Sequence, residues 1–224
     1  QRGDVEKSLA SLRRAVELAK AADAAAPLAR MRPNLVRALA RAGLGREALV
    51  VAKVAVHDAA SAPGGTPLAS ALSALAVAQR AVGEHAASDR AHEAAIETFG
   101  QGGDAAGVRR ELLGWSAELT DGGRLAEAIP VFERLLAGLE RASDPQIRIR
   151  ALANLAVLHR RLGNGTEAVR WAQAAVEAAS AFGQPLLLAE ARQHLAQAYA
   201  AAGRHAEALA LAEARRKDRQ AAGD

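Results

Sequence analysis

The sequence predicts an all-α protein, an elongated solenoid of antiparallel helix pairs running over residues 1–224. Three observations predict it. Half of the residues are apolar but only 3% are aromatic. Alanine, the strongest helix former, dominates, and the β-branched and aromatic residues that favour strands are too few for many strands. Glycine recurs every 40 residues, at Gly3, Gly43, Gly83, Gly123, Gly163 and Gly203. Other columns keep that phase. Five residues after each glycine stand Ser8, Ala48, Ser88, Ala128, Ala168 and Ala208, all small. Eight before stand Leu35, Leu75, Trp115, Leu155 and Leu195.

Each column has a physical reason. The glycine ends one helix in the left-handed conformation that costs other residues energy. The small residue lets the next helix pack closely, and the large one fills the space between them. Glu47, Glu127, Glu167 and Glu207 fall in the first turn of a second helix, where the macrodipole favours negative charge.

The elements follow in order. A lone second helix runs from about residue 4 to 22, a half repeat over 1–24. Full repeats then cover about 25–63, 64–103, 104–143, 144–183 and 184–220. Pro27, Pro67, Pro145 and Pro185 precede or open first helices, where proline is tolerated. Pro130 falls early in a second helix and should kink or tighten its first turns. The breaks between repeats, such as "SAPGGTP" and "GQGGDAAG", are too short for domain linkers. Gly3 leaves no room upstream for a partner helix, so the sequence reads as a fragment of a longer chain. Val5, Leu9, Leu12 and Val16 should then lack one neighbour, inviting self-association through the half repeat.

Leu155, Ala156, Gly163, Ala168 and Ala175, in that order, resemble the tetratricopeptide repeat, a helix-turn-helix unit. Tyr199 and Phe132 match two of its aromatic positions. The resemblance implies a right-handed superhelix that acts by binding other proteins, with first-helix residues lining a concave wall. The sequence departs from the family in its period, 40 rather than 34. The usual tryptophan of the first helix is replaced by Arg32, Leu72, Leu112, Leu152 and Arg192. Long repeats of this kind look like those of bacterial signalling and regulatory proteins.

Chemistry is sparse. With no cysteine there are no disulfides, thiolate metal sites or cysteine nucleophiles. That suits a reducing compartment, and a cytoplasmic location is expected. No apolar run reaches the length of a membrane span. "HEAAIE" from His92 lacks the second histidine of a zinc-protease motif. His85 and His92 could share a helix face, but no third ligand is evident. His159 shares its repeat position with Leu39, Leu119 and Tyr199 and reads as a packing residue. "GQGGDAAG" lacks the Gly-Lys-Ser/Thr of a phosphate loop and reads as a flexible connector. The basic run "ARRKDRQ" reads as the solvated end of the last helix. No enzyme, metal or cofactor is expected.

Net charge is +4, carried by 25 arginines and four lysines among 29 basic residues. Arginine favours bidentate contact with carboxylate or phosphate. Carrying the family's concave positions onto this register gives Asn34, Arg37 and Arg41; Ser73 and Arg80; Arg110; Arg150, Asn154, Arg160 and Arg161; and Gln193, His194 and Gln197. Asn34 and Asn154 occupy the same repeat position. In family members that clamp carboxylates, such residues bind a peptide. The leading expectation is therefore a protein-interaction module, a scaffold or sensor arm, taking a partner protein or peptide, with an acidic one suited to the arginine-rich wall. With first helices roughly 20 Å apart across an intervening helix, ligand acids should recur about every six residues. The alternatives are a nucleic-acid-binding array, disfavoured by the lack of aromatic stacking platforms, and the regulatory repeat region of a larger ATPase or transcription regulator.

Overall fold

A computed structural model describes residues 2–60, 65–139 and 144–222. Among them are eleven α-helices and no strand: α1 Arg2–Ala21, α2 Ala25–Arg41, α3 Gly45–Ala60, α4 Gly65–Ala81, α5 His85–Gln101, α6 Ala105–Asp121, α7 Leu125–Ala137, α8 Pro145–Arg161, α9 Gly165–Phe182, α10 Pro185–Ala201 and α11 His205–Ala222. The even-numbered helices are the first helices of the expected pairs. The chain forms two compact units, residues 1–111 and 112–224.

The 40-residue glycines act as turns wherever a helix precedes them. Gly43, Gly83, Gly123, Gly163 and Gly203 have φ between 75° and 84°. The following N–H then reaches the carbonyl five residues back, as in Leu44 to Leu39 at 2.9 Å, Arg124 to Leu119 at 2.9 Å and Asn164 to His159 at 2.8 Å. This is the Schellman closure, and it satisfies carbonyls that a helix end would otherwise orphan. Gly3 differs: it lies inside α1, with no described helix before it to end.

A second set of left-handed residues joins the repeats: Asp23 at φ 48°, Gly103 at 70° and Gly183 at 75°. The glycine-rich run after α5 is one of these junctions and forms a closed turn. The Asp104 carboxylate accepts the Gly107 N–H at 2.7 Å, capping α6, while the Asp104 N–H bonds the Phe99 carbonyl at 2.9 Å.

In the first unit α1 packs on α2, and α2 packs on both α3 and α4. The core joins Leu9 and Val16 of α1 to Leu35, Val36 and Leu39 of α2, with Ala48, Ala52, Ala74 and Ala78 behind them. Leu9 and Val16, expected to lack a neighbour, are thus buried against α2, and Leu12 is partly covered. Val5 lies outside the residues whose side chains are described. An Arg13 nitrogen spans Glu47, 2.7 Å from each carboxylate oxygen, and ties α1 to α3.

The second unit repeats the scheme: α8 packs on α7, α9 and α10, and α10 on α9 and α11. Ala156, Ala168, Val169 and Ala172 are buried with Leu195 and Ala198. The small-residue columns read from the sequence fill these interfaces, with Ala48, Ala128, Ala168 and Ala175 fully buried. In both units first helices touch directly, α2 on α4 and α8 on α10. They are therefore adjacent ranks about 8–10 Å apart, and the 20 Å spacing expected across an intervening helix is corrected. The second helix of each pair lies behind the row of first helices rather than between its members.

Candidate functional site

First helices touch one another in both units, and their exposed residues are the candidate surface. In the first unit Asn34, Arg41, Arg80 and Arg110 are exposed and Arg37 is half-buried. Ser73 is buried at 7% exposure and accepts a hydrogen bond from Arg37 at 3.1 Å. It thus positions an arginine of α2 from α4. Arg110 lies over the Phe99 ring, 5.7 Å from its centre. In the second unit Arg150, Asn154, Arg161, Gln193 and Gln197 are exposed, with Arg160 and His194 half-buried.

Arg160 and His194 lie on the touching helices α8 and α10, and they interact. Burial pushes the His194 pKa below its ordinary value, the Arg160 charge lowers it further, and Glu190 opposes. His194 Nδ1 is buried and has no hydrogen-bond partner among the described residues. His194 stands 40 residues after Asn154 and 160 after Asn34, so it occupies the asparagine position. His159 is half-buried as a packing residue at the end of α8, its Nδ1 likewise without a partner.

A cleft of about 940 Å³ opens in the first unit between the start of α2, the end of α3 and the start of α4. Asn34 and Arg37 line it. So do Arg30, Arg32, His57 and Asp58, which the concave-wall positions omit. Arg32 is buried at 9% exposure and pairs with Asp58. One sequence signal marked it: an arginine, like Arg192 of the last repeat, in a column that holds Leu72, Leu112 and Leu152 in between, of which Leu112 and Leu152 are core residues. Pro33 beside it has no N–H to give the Ala29 carbonyl, which interrupts the helical ladder at the cleft wall.

His92 and Glu111 are a second buried polar pair, with His92 Nδ1 and Glu111 Oε1 2.7 Å apart at 2% and 7% exposure. They join α5 to α6 and are closed to a ligand. His85 is exposed. Among the described residues no three His, Cys, Asp or Glu side chains converge as a metal site, and no helix is long and apolar enough to cross a membrane.

A tetratricopeptide-repeat family model matches residues 147–220. No curated protein matches the chain. Several solved structures share its fold. The crystal structure of BtubC (BKLC) from P. vanneervenii superposes with a TM-score of 0.73 at 20% identity, covering 98% of this chain and 92% of that one. The apo form of RapI gives 0.68 at 14% identity, covering 89% of this chain and 57% of RapI. The signal transduction ATPase with numerous domains from Pyrococcus horikoshii, which carries a tetratricopeptide-repeat sensor, gives 0.60 at 17% identity. It covers 88% of this chain and 33% of that protein.

Proposed function

We propose that this tetratricopeptide-repeat protein is a protein-interaction module that holds an extended, acidic segment of a partner along the rows of its first helices. One observation carries the reading. The columns that pack the repeats are alanine and leucine, whereas the exposed positions of the same helices carry more arginines and amides than acids such as Asp121 and Glu190. Arg80, Arg110, Arg150 and Arg161 are exposed there, with Asn34, Asn154, Gln193 and Gln197. Guanidinium groups suit carboxylates through paired N–H donors. With neighbouring first helices about 8–10 Å apart, an extended chain at about 3.3 Å per residue presents successive acids about every three residues. The same fold serves as a sensor in the Pyrococcus ATPase, and a sensor or scaffold arm is the form of module proposed.

Photocrosslinking tests the reading. A photoreactive residue replaces Asn154 or Gln197 in the inner row, or Gln173 or Glu177 on α9 behind it. Adducts with a partner protein should form at the first two positions and disappear in Arg150→Glu/Arg161→Glu. Adducts confined to α9, or unaffected by the charge reversal, would move recognition off this surface.

A further inference from the structure

In the first-unit cleft a buried cation is left under-used. Arg32 is 9% exposed, and its guanidinium bonds Asp58; among the described residues it makes no other hydrogen bond. A guanidinium carries five N–H donors, and a buried donor without a partner is costly. None of the Arg32 nitrogens is among the sealed, partnerless atoms of the structure, so its remaining donors reach the cleft that it lines. The Asp58 side chain is 46% exposed and leaves the mouth open. Both residues depart from the three middle full repeats. Arg32 stands where Leu72, Leu112 and Leu152 stand, and Asp58 where Thr98, Gly138 and Ala178 stand. The last repeat carries the same residue types there, Arg192 and Asp218, but Arg192 is exposed, whereas Arg32 is buried beside a cavity, which gives the first repeat the character of a built site.

We propose that this cleft binds a small carboxylic acid with an apolar body, its carboxylate on Arg32. Three arginines and two aspartates line the cleft, Arg30, Arg32 and Arg37 against Asp23 and Asp58, a balance of one positive charge. That balance suits a single carboxylate better than a phosphate carrying about −1.5 to −2. Leu28, Ala29, Pro33, Ala55 and Pro67 supply the apolar lining. The volume, about 940 Å³, is at the upper end of small-molecule sites, which run to about 1,000 Å³. Because Asn34 and Arg37 belong both to the cleft and to the partner-binding row, an occupied cleft competes with a partner segment there.

Calorimetric titration of the whole 224-residue chain tests this without any partner protein, so its outcome is separate from that of the partner-binding reading. The probes are octanoate, 3-phenylpropionate, octanol, acetate and octyl phosphate. At least one of the first two should bind saturably, with octanol and acetate about tenfold weaker or more. Arg32→Leu, which installs the leucine of the three middle repeats, should weaken the acid about 10- to 100-fold and leave the melting temperature unchanged or higher. Asp58→Asn should tighten it by removing the competing carboxylate. If Arg32→Leu misfolds by circular dichroism, Arg32→Lys decides, since it keeps the charge and loses the fork and should bind more weakly than the parent. The proposal falls if neither acid saturates the chain below ~10 mM, if octanol or octyl phosphate binds as well as octanoate, or if the Arg32 variants bind unchanged.

Discussion

Gly165 opens α9 where a Cβ would lie 2.9 Å from the Ala202 Cα and 3.1 Å from its Cβ. Neither neighbour can rotate away, so Gly165→Ala should part α9 from the end of α10. The expected loss is about 1–3 kcal/mol, read as a lower urea midpoint. Two residues earlier the constraint is different. Gly163 has open space around it but a φ of 79°, so Gly163→Ala should cost about 1–2 kcal/mol through backbone strain alone. His194 makes a residue-scale prediction in pH. Its folded pKa lies below its ordinary 6.5, from burial first and then Arg160. The folded state therefore prefers the neutral ring. This contribution to stability is present above 6.5 and is lost as pH falls through the lower, folded value. His194→Asn, which installs the residue of positions 34 and 154, should flatten the dependence of the urea midpoint on pH across that window. An equally steep dependence in the variant would assign it to other groups.

Between elements, the α5–α6 contact is held by a polar pair where other repeats use apolar residues. His92 stands in the column of Ala52, Phe132 and Ala172, and Glu111 in that of Ala71, Ala151 and Ala191. Glu111→Ala removes the carboxylate 2.7 Å from His92 Nδ1 and should destabilise by about 1–3 kcal/mol. Adding His92→Ala should recover part of that loss, because a buried pair removed as a whole costs less than one broken. A double-mutant cycle on chemical denaturation measures both. How much of this was legible in the sequence differs by element. The turn glycines, the alanine columns and the helix pairs could be read because each serves backbone geometry or close packing, and these repeat with the chain. The junctions at Asp23, Gly103 and Gly183 also fall into phase, but Pro63 and Ser143 stand between them and break the pattern. The cleft could not be read, because an arginine in a leucine column marks either an exposed surface or a buried pair. Arg192 is exposed and Arg32 is buried with Asp58. The inner-row spacing was misread because sequence order places a second helix between two first helices, whereas packing sets it behind them.

At the scale of the molecule, stacked repeats stabilise mainly their nearest neighbours. Gly165→Ala should therefore raise amide exchange in α8, α9 and α10 and leave α2, α3 and α4 unchanged in hydrogen-exchange mass spectrometry. A uniform rise along the chain would mean that it unfolds as one cooperative body. The alanine columns have a further effect. Alanine has no χ angle, so an interface built on Ala48, Ala52, Ala74 and Ala78, or on Ala156, Ala168, Ala172 and Ala198, cannot absorb an added methyl by changing rotamer; the helices themselves must shift. The thickness of one methyl group thus gauges the distance between successive first helices, and under the proposed function that distance would be the ruler along which a bound chain spaces its acids. Ala→Val in such a column would recalibrate the ruler and change which sequences fit, while every residue that touches the ligand stayed the same.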